Sequence, residues 1–122
     1  MNIHESGEDY LETILMLCKE NGAARSVDIA THLGVTKPSV SFAMKRLREN
    51  GYILMGDDNR ITLTPAGEAI AARVLERHDL LSTLLMRLGV SEETARQDAC
   101  KIEHDLSDET FAAISRHLQS LQ

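Results

Sequence analysis

Cys100, Glu103 and His104 stand at i, i+3 and i+4 in the stretch Asp98-Ala99-Cys100-Lys101-Ile102-Glu103-His104. On an α-helix this spacing points a thiol, a carboxylate and an imidazole from one face. All three are donors for divalent transition metals. The same groups can also build a nucleophilic site. Here, however, Cys100 and His104 would share one helix, with no glycine-rich loop or oxyanion element nearby, so an enzyme is not expected. A thiol, an acid and an imidazole buried together need a compensating partner, and a cation supplies one.

A different chemistry lies upstream. In the run from Val27 to Val40, small Ala30 lets two helices approach, Gly34 permits a tight turn, and Ile29, Leu33, Val35 and Val40 fill the joint. This is the pattern of a helix-turn-helix. In its second helix Val40, Met44 and Leu47 form the buried stripe. Thr36, Lys37, Pro38, Ser39, Ser41, Phe42 and Lys45 are left to face or flank double-stranded DNA. Thr36 and Ser39 can hydrogen-bond phosphates or bases, and Lys37 and Lys45 can neutralise phosphate. Phe42 suits a thymine methyl or a satellite core contact, and Arg60 suits phosphate, minor groove or plain solvent.

The elements that must position these groups are mostly helical, as expected from abundant Ala, Leu, Glu and Arg and no Trp. Helix is predicted from about Gly7 to Glu20 with Ser6 as its cap, then from Ser26 to Leu33. A third helix, capped by Thr36, tolerates Pro38 at its second position and ends near Asn50-Gly51. Tyr52–Met55 and Arg60–Leu63 read as strands around the polar turn Gly56–Asn59, a small β-hairpin wing. Thr64-Pro65 opens a long helix to about Leu88, with His78 in its second half. Ser91-Glu92-Glu93 and Ser107-Asp108-Glu109 start two more, with acid where the helix dipole favours it. Phe111, Ile114, Leu118 and Leu121 make an apolar stripe on the last helix, for which a second copy of the chain is the natural cover.

With 122 residues the chain suits one compact domain, or a small DNA-binding module with a helical arm. The division expected is 1–64 and 65–122. The net charge of −6 argues against indiscriminate nucleic-acid binding. Its distribution restores the idea: Lys37, Lys45, Arg46 and Arg48 oppose Glu49 alone, whereas Met1–Leu17 carries four acids and no Lys or Arg. Acidic clusters hold cations. No stretch of about eighteen apolar residues and no signal peptide is seen, so no membrane partner and a cytoplasmic location are expected. Cys18 and Cys100 are then free thiols, with Cys18 packing in a core.

The motifs Ser6-Gly-Glu-Asp9-Tyr-Leu-Glu12, Leu33-Gly-Val-Thr-Lys-Pro-Ser39-Val, Leu63-Thr-Pro-Ala-Gly67, Arg77-His78 and Asp98-Ala-Cys100-Lys-Ile-Glu103-His104-Asp-Leu-Ser107 run through nearly the whole chain in order. Together they resemble the diphtheria-toxin-repressor family of metal-dependent transcriptional regulators. The resemblance implies a mainly α fold: an N-terminal winged helix-turn-helix, then a helical metal-binding and dimerisation region. Chain length makes it similar to the manganese-transport-regulator branch, which lacks an SH3-like domain.

The resemblance implies metal ligands at Asp9, Glu12, His78, Cys100, Glu103 and His104. Asp9 matches the manganese type, where the iron type has methionine, and Cys100 matches the iron type, where the manganese type has glutamate. Ser82 and Arg96 replace further ancillary ligands of the iron type, which leaves one metal or a close pair open. Plainer roles also exist: Asp9 in a capping box with Ser6, Glu12 as a solvated charge, His78 as a core or surface histidine. His4, His32 and His117 are not expected to be ligands. The implied protein is a homodimeric repressor of metal-ion uptake or homeostasis genes. Mn²⁺ or Fe²⁺, with Co²⁺ or Zn²⁺ as substitutes in vitro, would bridge the first helix and the dimer arm and favour operator DNA. The alternative is a winged-helix regulator that senses an organic ligand.

Overall fold

The computed structural model describes residues 5–120. His4 and Leu121, both considered above, lie outside the described residues. The chain forms two compact units, one ending at Arg73 and one beginning at Val74.

The first unit opens with α1 (Glu5–Asn21) and continues through α2 (Ser26–Leu33), α3 (Lys37–Glu49), β1 (Ile53–Met55) and β2 (Ile61–Leu63) to the start of α4 (Pro65–Arg87). Because α1 begins at Glu5, Ser6 falls inside the helix and not ahead of it as expected. Leu11, Ile14 and Leu15 recur at helical spacing and are buried with Ile29, Val40, Met44, Leu47, Ile53 and Ile61. Cys18 extends that face. Its thiol donates to the Ile61 carbonyl at 3.6 Å, and burial pushes its pKa up.

Main-chain geometry sets the angle between α2 and α3. Gly34 caps α2 at φ +67°, and the Val35 amide donates to the Ala30 carbonyl at 3.1 Å. Thr36 caps α3 by accepting from the Ser39 amide at 3.3 Å, and Pro38 sits in the first turn, where no amide hydrogen is needed. The wing pairs Ile53 with Leu63 and Met55 with Ile61 in antiparallel register. Ala24 adds a bridge to Ile61. Thr64 then joins α4 to the turn after α3: its hydroxyl donates to the Gly51 carbonyl at 2.6 Å, and its amide donates to Tyr52 at 3.1 Å. Gly67 passes so close that a Cβ there would lie 2.1 Å from the Tyr52 carbonyl oxygen.

The second unit comprises the rest of α4, α5 (Glu92–Ile102) and α6 (Asp108–Ser120). Ser91 caps α5 by accepting from the Thr94 amide, and Ser107 caps α6 by accepting from the Thr110 amide at 3.1 Å. Ala95 and Ala99, one turn apart, are fully buried. Leu118 is buried too, and Phe111 and Ile114 are half-buried, so the chain itself covers much of the stripe assigned above to a second copy.

Cys100, Glu103 and His104 do not all share one helix, contrary to the expectation from their spacing. α5 ends at Ile102, Glu103 is its cap, and His104 stands in the turn that follows. Glu103 keeps helical backbone angles and its amide donates to Ala99 at 3.0 Å, so its offset from Cys100 survives. Continuing the helix would require the Glu103 carbonyl to accept from Ser107. That carbonyl instead accepts from Arg77.

Candidate metal centre and DNA-facing helix

In the second unit, Glu103 is the most deeply placed charged group, with 2% of its surface exposed. His78, in α4, brings Nδ1 to 3.3 Å from one Glu103 carboxylate oxygen. His104 brings Nε2 to 3.4 Å from the other. Both imidazoles are themselves largely buried. A carboxylate withdrawn from water between two imidazoles is costly unless cationic charge compensates it. The thiol of Cys100, which is in no disulfide, is half-buried one turn before Glu103. Two imidazoles, a carboxylate and a nearby thiol form a mixed nitrogen, oxygen and sulfur set, which fits a divalent first-row ion.

Arg77, which precedes His78 in α4, is packed against this turn, a contact with no local signal in the sequence. Its Nη1 donates to the carbonyls of Glu103 at 3.3 Å and Leu106 at 2.9 Å. Its Nη2 pairs with Asp108, and its guanidinium lies 5.0 Å from the centre of the Phe111 ring. The signal available in the sequence was an arginine beside an expected ligand, which local periodicity could not connect to residues 26 to 31 positions away.

In the first unit, α1 carries Asp9 and Glu12 one turn apart. Glu12 is buried, at 8% exposure, and Asp9 half-buried. Burial excludes the reading of Glu12 as a solvated helix charge. Neighbouring Glu8 pairs with Arg73 at 3.4 Å. At the ancillary positions, Ser82 is buried and Arg96 pairs with Glu92 at 3.2 Å in solvent. His32 and His117 are exposed.

The outer face of α3 is as expected. Val40, Met44 and Leu47 are buried, while Thr36, Lys37, Pro38, Ser39, Ser41, Phe42 and Lys45 are exposed. Phe42 is 64% exposed with Arg46 5.7 Å from its ring centre, so it is no satellite of the core. Arg60 is exposed on the wing and pairs with Asp58 at 2.8 Å.

Residues 2–58 match the model of the iron dependent repressor N-terminal DNA binding domain. Residues 64–122 match that of the iron dependent repressor metal binding and dimerisation domain. The chain belongs to the iron-dependent repressor family. It is 45% identical over 106 residues to the transcriptional regulator MntR of Salmonella typhimurium, covering 87% of this chain and 68% of that protein. It is 37% identical over 117 residues to the HTH-type transcriptional regulator MntR of Lysinibacillus sphaericus, covering 96% and 84%. Among solved structures, T. acidophilum IdeR superposes with a TM-score of 0.85 at 28% identity, and the manganese regulator SloR with 0.83 at 26%. Each match covers 98% of this chain and 55% of the other, so the chain spans about half the length of those two proteins.

As a member of the iron-dependent repressor family, the chain is a metal-responsive, DNA-binding transcriptional regulator and not an enzyme. The matched second domain is one that binds metal and dimerises, which removes the organic-ligand alternative. No helix among the described residues is long and apolar enough to cross a membrane.

Proposed function

We propose that this regulator is a homodimeric repressor of metal-ion uptake or homeostasis genes, activated in the cytoplasm by Mn²⁺ or Fe²⁺. A DNA-binding domain over 1–64 would be joined to a metal-binding and dimerisation domain over 65–122. His78, Cys100, Glu103 and His104 would hold the ion together with Asp9 and Glu12 of α1. The observation that carries the reading is Glu103, buried between two imidazoles in a unit matched by a metal-binding domain. The ion supplies divalent charge that offsets the buried carboxylates. With α1 and the dimer arm both committed to ligands, the winged helices would have fewer relative placements, and those compatible with an operator would be favoured. The reading of the metal rests on the likeness to the manganese regulator SloR and on the donors. Carboxylates and imidazoles suit Mn²⁺ and Fe²⁺, whereas sulfur ligation by Cys100 would raise the preference for Fe²⁺, Co²⁺ or Zn²⁺. On the DNA side, Thr36, Lys37, Pro38, Ser39, Ser41, Phe42 and Lys45 would meet the major groove and its phosphates, with Arg60 on the wing beside them.

The test is fluorescence anisotropy on duplexes selected from a random library by the Mn²⁺-loaded protein. Allosteric coupling of roughly 1–3 kcal/mol corresponds to about 5- to 150-fold tighter DNA binding with metal. Glu103→Ala is expected to remove that tightening while the dimer stays folded by circular dichroism and sedimentation. A Glu103→Ala protein that responds to Mn²⁺ like wild type would show that the donor set is wrong.

A further inference from the structure

Arg77 makes more contacts than a surface arginine needs, and all of them converge on the segment that presents two of the proposed ligands. It is 9% exposed, and it engages main-chain carbonyls, a carboxylate and an aromatic face at once. The two carbonyls belong to Glu103 and Leu106, which bracket His104. Asp108 and Phe111 belong to the first turn and a half of α6. One rigid guanidinium therefore joins the end of α5, the turn and the beginning of α6.

The geometry points to Arg77 as the positioning residue of the metal centre, holding the 103–106 turn so that Glu103 and His104 are presented to His78. This inference rests on the ligand reading above. Carbonyls at the end of a helix must find donors, and when they are buried an unmet acceptor is costly. Arg77 supplies both donors from one planar fork, which fixes their relative direction as a flexible lysine ammonium would not. The next residue in α4, His78, is itself a proposed ligand. The fork and the imidazole thus leave adjacent positions of one helix, and the turn is indexed to His78 by a single peptide unit. The hydrogen bonds of Arg77 go to the Glu103 and Leu106 carbonyls and to Asp108. It acts on the main chain of the ligands, so it sets where donors stand and not how many there are.

Three variants test this in the full chain: Arg77→Met, which keeps a long side chain but removes the fork, Arg77→Lys and Glu103→Ala. Mn²⁺ affinity is read by calorimetry, and main-chain order by hydrogen exchange without metal. Arg77→Met is expected to lose about tenfold in Mn²⁺ affinity, in keeping with the removal of charge-assisted hydrogen bonds from a buried turn. Arg77→Lys is expected to recover part of that loss. Faster exchange should be confined to the 103–108 segment, whereas a general packing role would raise it across α4, α5 and α6 alike. If Arg77→Met does not fold, Asp108→Ala provides the same reading, with a loss of about threefold expected because it frees only one end of the fork.

Wild-type Mn²⁺ affinity in Arg77→Met together with lost affinity in Glu103→Ala would overturn the role of Arg77 and leave the metal site standing. Wild-type affinity in Glu103→Ala would overturn both. Exchange raised uniformly over the second unit would reduce Arg77 to a packing residue and also overturn the proposal.

Discussion

The DNA-facing unit is held in register mainly by main-chain joints, whereas the metal-ligand unit is held by charged side chains. In the first, Gly34 at positive φ, the Thr36 cap and the close passage of Gly67 past Tyr52 set the angles between helices and wing. In the second, Arg77, Glu103, His78 and His104 meet in the interior, and the shape of their turn follows from where a guanidinium finds carbonyls. The first arrangement leaves its proposed DNA-facing side chains in solvent, where those other than the Thr36 cap and Pro38 can be exchanged with little disturbance of the scaffold. The second buries its proposed ligands within the packed interior, so a substitution there acts on packing as well as on the metal.

The sharpest break of that comparison is at Gly67. A Cβ 2.1 Å from a backbone oxygen cannot be relieved by rotating a side chain, so Gly67→Ala is expected to cost about 2–3 kcal/mol of stability. Urea unfolding checks it, and a loss below about 0.5 kcal/mol would mean that the joint between α4 and Tyr52 is not tight.

Lys45 tests the opposite property of the same unit. Its side chain is exposed on α3 and carries no structural duty, so Lys45→Ala should leave the melting temperature unaltered. DNA binding should weaken about equally on preferred and scrambled duplexes, and the slope of log affinity against log salt should fall by about 0.9 for each bound subunit. An unchanged slope would show that this face of α3 does not meet phosphate.

The smallest effect is expected at the wing, where Asp58 engages Arg60 at 2.8 Å in solvent. Such pairs contribute about 0–1 kcal/mol, so Asp58→Ala should barely alter stability. It would release Arg60 and remove a negative charge from the wing, making the salt slope steeper by up to about 0.9 if that arginine reaches a phosphate. A slope equal to wild type would assign Arg60 to solvent.

The elements of both units were legible because their signals act within a turn of chain. The α2 limits, the Thr36, Ser91 and Ser107 caps, the stripe Val40, Met44 and Leu47, and the strands with their polar turn all appear as expected from neighbouring residues. The first helix begins two residues earlier than expected and α5 ends before His104. End effects of this kind depend on partners outside the helix.

By itself, then, the sequence determined which segments are helical, which face of α3 stays wet, and which residue types could hold a cation, because caps, periodicity and donor chemistry are local properties. Only the tertiary structure decided that His78 and His104 flank Glu103, that Glu12 is withdrawn from water, and that Arg77 takes the Glu103 carbonyl that would have continued α5. The physical reason is distance along the chain. A hydrogen bond between residues 26 positions apart leaves no periodic trace in either segment, and its partners are chosen by the packing that brings the two segments together.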